Sequence, residues 1–145
     1  MTEKVEYWFD PICPWAWMTS RWMTEVEGIR DVEVTWNPFS LSILNEDKDI
    51  PADYRAHMDR SRGPARVAMA VRETQGQEKV KAFYEAVGTA IHPENTGEQD
   101  EVKRYREAIE RALEQTGLPA ELAEEAEKDT YDDALRASNA RALKL

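Results

Sequence analysis

Only two stretches of this chain carry the alternation of a β-strand, and a single helical pattern separates them. Val5, Tyr7 and Phe9 alternate with Glu6, Trp8 and Asp10, and Val32, Val34 and Trp36 alternate with Glu33, Thr35 and Asn37. Between them Trp15, Met18, Trp22, Val26 and Ile29 recur at three- and four-residue steps, the spacing of one helix face. That stripe is expected to be mostly core. Pro14 suits the first helical position, where its fixed φ is preorganised and its missing N–H is no loss. Gly28 falls where the helix should end. Strand, helix, strand over forty residues is a right-handed crossover joining a parallel pair.

Beyond the second strand the pattern is helical almost throughout. Pro51 opens one segment and Pro64 a second, with Val67, Ala70 and Val71 on one stripe. Val80, Phe83, Tyr84 and Val87 mark a third. Glu101 to Thr116 carries Val102, Tyr105, Ile109, Ala112 and Leu113 and ends at Gly117. Pro119 opens a short helix, and Thr130 can cap a last one through Tyr131, Leu135 and Leu143. A sheet of two strands has unpaired edges and little apolar area. Either the helices wrap it or other strands complete it.

At 145 residues the chain is one domain in size. Its net charge of −10 argues against nucleic acid or an anionic membrane as partner, because both need clustered Lys and Arg. The acidic runs EQDE (Glu98 to Glu101) and ELAEEAEKD (Glu121 to Asp129) read as solvated helix faces. No apolar run approaches the length of a membrane span, and the first residues lack the order of a signal peptide. The cytoplasm is the expected location.

The one cysteine, Cys13, sits in the stretch FDPICPWAW, at the junction of the first strand and the first helix. There it meets the unpaired N–H groups and the positive end of the helix dipole, both of which favour an anionic sulfur. The thiolate is the nucleophilic form, so a working cysteine belongs at such a place. Pro14 limits local motion, and Trp15 would form an apolar wall beside the sulfur. C-x-x-C at a helix start in a βαβ unit is a thioredoxin-like redox arrangement, but here the fourth position is Ala16. Without a second thiol in the chain, a mixed disulfide on Cys13 must be released by a thiol from solution. Ala16 is then either a native monothiol design or the loss of a resolving cysteine.

FDPICPWAW followed by TSRW, then SLSILNE, DYRAHM, GPARVAMA, AIH, GLPAELA and YDDALRAS, resembles the DsbA-like actinobacterial mycothiol-dependent reductases, the mycothiol-dependent nitroreductases. The likeness covers essentially the whole chain. It implies an α/β, thioredoxin-like (DsbA-like) fold with a large helical insertion, and a low-molecular-weight thiol as electron source. It divides the chain into an N-terminal βαβ part (1–45), a helical insertion (46–129) and a helix returning to the thioredoxin-like domain (130–145). The family pattern has cysteine where this chain has Ala16. It also continues into further strands, a final helix and a cis-proline loop facing the cysteine, so the sheet is expected to be incomplete in this chain.

The resemblance makes Cys13 the nucleophile, with Pro14, Trp15 and Ala16 as the rest of its motif. Trp15, Asn45 and Tyr54 become contacts for the substrate or thiol, the last two through amide and phenol hydrogen bonds. The expected activity is a thiol–disulfide oxidoreductase that uses mycothiol or a similar thiol. The acceptor is an electron-poor small molecule or a protein disulfide. A thiol-dependent isomerase or transferase on the same fold is the alternative, and a non-catalytic scaffold or binding module is another. Pairing through the open sheet edge would give a homodimer. His57 and His92 are too far apart to pair with one cysteine as a zinc set. His92 reads as a residue at a helix C-terminus, interacting with that helix's last carbonyls.

Overall fold

The computed structural model describes residues 2–92 and 100–145. Glu98 and Gln99 of the EQDE run lie outside them. Strands β1 (Glu3–Phe9) and β2 (Val32–Pro38) pair in parallel, in register from Glu3 opposite Val32 to Phe9 opposite Pro38. Helix α1 (Pro14–Ile29) makes the crossover, with proline in its first turn. Gly28 lies inside α1, whose last cap is Arg30.

The chain leaves β2 through a short helical turn, α2 (Leu41–Leu44), whose cap is Ser40: its hydroxyl accepts the Ile43 N–H at 3.1 Å. Then come α3 (Ala52–Arg60), α4 (Gly63–Gln75), a 3-10 turn (Gln77–Lys79) and α5 (Val80–Ile91). Helix α6 (Glu101–Thr116) ends at Gly117, whose φ of 70° is a conformation that glycine adopts without strain. The Pro119 segment is 3-10 rather than α (Ala120–Glu127). Helix α7 (Asp132–Leu143) is capped by Tyr131 and not by Thr130.

Helices α4, α5 and α6 supply most of the core: Val67, Val71, Val80, Phe83, Tyr84, Val87, Ile109, Ala112 and Leu113 are all buried. One face of the two-strand sheet joins them. Phe9 stacks on Tyr84 with ring centroids 3.9 Å apart, and Trp36 is buried alongside. The helices thus cover the sheet on that face, which answers half of the two-strand difficulty. On the other face lies α7, where Arg141 reaches Glu6 at 2.8 Å and covers the Trp8 ring. Elsewhere on α7, Ser138 donates to the Pro38 carbonyl at 2.6 Å. Asn139 both accepts from the Ser40 N–H (3.0 Å) and donates to its carbonyl (2.9 Å). A two-pronged pair, Arg66 to Asp132 at 2.9 and 2.7 Å, ties α7 to α4.

The regular apolar stripe of α1 does not face this core. Trp15, Met18, Trp22 and Ile29 are all exposed, Trp15 at 75%. The side turned inward carries Ala16, Trp17, Ser20 and Met23. Trp17 decides the orientation. Its ring lies against Gly88 of α5, where a Cβ would stand 2.1 Å from a ring carbon. It also packs edge-on to Tyr84, stacks on His92 and lies under Arg21 at 4.1 Å. Only glycine at position 88 lets the indole come so close.

Candidate functional site

The thiol lies where strand β1 gives way to α1. Asp10 and Pro11 end the strand, and a turn closed by the Cys13 N–H on the Asp10 carbonyl at 3.0 Å carries the chain into the helix. Cys13 is the N-cap, in extended conformation, and its sulfur accepts the Ala16 N–H at 3.5 Å. No acidic side chain occupies the first turn of α1. The sulfur therefore sits against an orphan amide at the positive end of a four-turn helix, with no carboxylate in that turn to oppose an anion. Cys13 itself is half-buried.

A hollow of about 230 Å³ opens beside it, lined by Trp8, Asp10, Cys13, Ala16, Phe39 and Leu41. Its volume is below the usual range for a whole ligand, so it suits the sulfur-bearing arm of a larger molecule. Ala16, where a second motif cysteine would stand, forms part of the wall. The indole N–H of Trp8 is buried without a hydrogen-bond partner. Tyr7 braces the first turn of α1, donating to the Ala16 carbonyl at 2.6 Å. Burial, with the neighbouring Cys13 sulfur adding to it, pushes the Tyr7 hydroxyl up to about 12, so it keeps its proton.

The residue that sequence reasoning missed is Asp10. Its side chain is 4% exposed. One oxygen accepts the Ile12 N–H at 3.1 Å and the other the Leu41 N–H at 2.8 Å. Burial pushes its carboxyl up to about 6, against the opposing pull of those two N–H groups. The alternation of β1 assigns Asp10 to a polar face. The bend at Pro11 instead turns it inward, between the cysteine turn and the start of α2. A carboxylate at the carboxyl end of a strand, the edge where open α/β sheets collect ligands, was the signal available.

The other expected site residues are dispersed. Trp15 stands exposed outside the hollow. Asn45 ends α2, its amide nitrogen donating to the Leu41 carbonyl at 2.9 Å. Tyr54 is exposed on α3, near His57. Neither Asn45 nor Tyr54 lines the cysteine hollow. His57 pairs with Glu101 at 3.0 Å. His92 does cap the end of α5, but its ring nitrogen bonds the Pro11 carbonyl at 2.8 Å and so braces the cysteine turn. Burial holds His92 below its ordinary value, so at neutral pH it is the neutral ring that donates there. Among the described residues no cluster of three His, Cys, Asp or Glu could hold a metal, and no helix is long and apolar enough to cross a membrane.

A second hollow, of about 250 Å³, lies among α3, α4, α6 and the 3-10 segment and contains no residue of the βαβ unit. Its arginines are already engaged, Arg60 with Glu101, Arg66 with Asp132 and Arg106 with Glu110.

Comparison with known proteins identifies a family. The sequence model of the Rv2466c-like family, described as "Mycothiol-dependent nitroreductase Rv2466c", matches residues 12–145. The chain belongs to this family. Its members' chemistry is thiol-dependent redox, with a low-molecular-weight thiol as the reducing partner. The chain is also 39% identical over 41 residues to an uncharacterised protein of Mycobacterium tuberculosis, Rv2286c. That match spans 28% of this chain and 18% of the relative. As a mycothiol-dependent nitroreductase family member, the chain combines a helix-rich α/β build and a parallel two-strand sheet with a thiol at the strand–helix junction.

Proposed function

We propose that this chain is a thiol–disulfide oxidoreductase in which Cys13 forms a mixed disulfide with mycothiol or a similar small thiol. One observation carries the reading: in a family of thiol-dependent reductases, the sole cysteine caps a helix N-terminus, takes an amide hydrogen bond on its sulfur and opens on a small hollow. The residues fit the thiol-bearing arm of such a molecule. The walls of the hollow are Trp8, Phe39, Leu41 and Ala16, apolar side chains suited to the methylene and sulfur of that arm. The bulkier remainder must lie outside, where Trp15 offers an exposed apolar surface and Asn45 and Tyr54 would supply polar contacts. The fold is thioredoxin-like of the DsbA type, with residues 1–45 and 130–145 forming its part and 46–129 the helical insertion.

With Ala16 in place of a second thiol, Cys13 cannot be released within the chain. Each turnover takes a second thiol from solution, which leaves joined to the first as a disulfide. The test is thiol consumption with an electron-poor nitroaromatic or a small disulfide as acceptor. Wild type oxidises the thiol pool and Cys13→Ser does not. Thiol transfer to the acceptor with no disulfide product would instead favour the transferase alternative.

A further inference from the structure

Release of the mixed disulfide needs a nucleophilic thiol inside the hollow, and that thiol arrives carrying a proton. Among the described residues the hollow's lining includes no lysine, arginine or histidine, and one carboxyl, Asp10, beside Cys13. Both Asp10 oxygens are pinned by backbone N–H groups, from the cysteine turn and from the start of α2, so the group cannot swing away to solvent. A carboxylate has about four acceptor positions, and those two bonds leave others open. Among the described residues, the groups on the surrounding elements that can carry charge include the Cys13 thiol, Tyr7 of β1, His92 of α5 behind Pro11, and Arg141 of α7 over Trp8. Burial keeps Tyr7 and His92 neutral at pH 7. From α2 comes only the backbone N–H of Leu41.

We infer that Asp10 accepts the proton of the thiol that enters the hollow to release Cys13. This rests on the mixed-disulfide reading of Cys13. In the step, the entering sulfur gives its proton to Asp10 and its electron pair to the outer sulfur of the mixed disulfide. The Cys13 sulfur leaves as thiolate, held by the Ala16 N–H. The two small thiols depart as one disulfide, and Asp10 returns its proton to water. The electron pair of the broken S–S bond stays on the Cys13 sulfur and that of the new bond comes from the entering sulfur, so Cys13 ends reduced and the entering thiol oxidised. A base with affinity for protons near neutrality is the one such a transfer needs, and burial has brought Asp10 to about 6.

The experiment loads Cys13 as its mixed disulfide with N-acetylcysteine. The same thiol is then added across pH 5 to 8, and loss of the adduct is followed by intact mass after acid quench. Without a base the rate falls tenfold per pH unit, in step with the thiolate. Wild type is expected to depart from that line, levelling above pH 6 to 6.5. Asp10→Asn keeps the side chain's size but replaces one of its two accepting oxygens with an NH2, and should follow the thiolate line, running about 10²-fold slower near pH 6.5. Thermal melts establish that the variant is folded. Parallel profiles for the two proteins, whether coincident or uniformly offset, would overturn the inference and leave Asp10 a structural clasp. Failure of wild type to accept the adduct at all would instead strike the reading of Cys13 on which the inference stands.

Discussion

Asp10 should also be visible in equilibrium stability, without any substrate. Its carboxyl titrates at about 6 in the folded chain against 3.8 when unperturbed, so the native state keeps this proton to higher pH than the unfolded chain does. Its contribution is therefore complete at low pH. It declines as the unfolded chain ionises above 3.8 and is lost as pH rises through about 6. At ~1.4 kcal/mol for each tenfold difference in proton affinity, the whole effect is about 3 kcal/mol. Of this, about 2.5 kcal/mol falls between pH 4 and pH 8. Asparagine does not titrate, but its NH2 cannot accept one of the two N–H bonds that the Asp10 oxygens take, a loss that does not change with pH. Urea unfolding of wild type and Asp10→Asn at matched pH isolates the group from the chain's many other carboxylates. Against that fixed offset, the difference should move by about 2.5 kcal/mol in the variant's favour from pH 4 to pH 8. A difference that stays flat, or that favours wild type as pH rises, would refute the reasoning. It would mean that the N–H groups of Ile12 and Leu41 hold the carboxylate better than burial opposes it.

Two further substitutions test the frame around the site. Gly88→Ala places a methyl in the Trp17 ring and should lower stability by roughly 2–3 kcal/mol; a shift in the urea midpoint checks it, and the red-shifted fluorescence of a displaced indole should accompany it. Asp132→Ala strands the largely buried Arg66 and should cost about 3–5 kcal/mol, with Asp132→Asn losing less in the same urea titration.

The βαβ unit was legible because each of its decisions is local: alternation for the strands, Pro14 for the helix start, and the strand–helix junction for the cysteine. The face of α1 was not. Trp15, Met18, Trp22 and Ile29 make the more regular stripe, yet Trp17 is the residue that docks, because Gly88 on a distant helix leaves room for it. Periodicity finds a stripe but not the partner that accepts it. The same limit applies at the site. Cys13 announces itself by position, whereas the burial of Asp10 depends on the Leu41 N–H arriving from beyond β2. His92 was legible as a helix end. That its ring braces Pro11 depends on how α5 meets the cysteine turn. Asn45 and Tyr54, carried by resemblance alone, stand outside the hollow that the backbone builds around the thiol.

The central claim is that Cys13 exchanges with a small thiol through a reducible mixed disulfide. Intact mass after incubation with mycothiol disulfide, and again after reduction, tests it most directly. The account predicts one adduct of mycothiol mass on the wild-type chain, removed by the reductant and absent from Cys13→Ser. A wild-type chain that stays unmodified while its thiol remains free would contradict it.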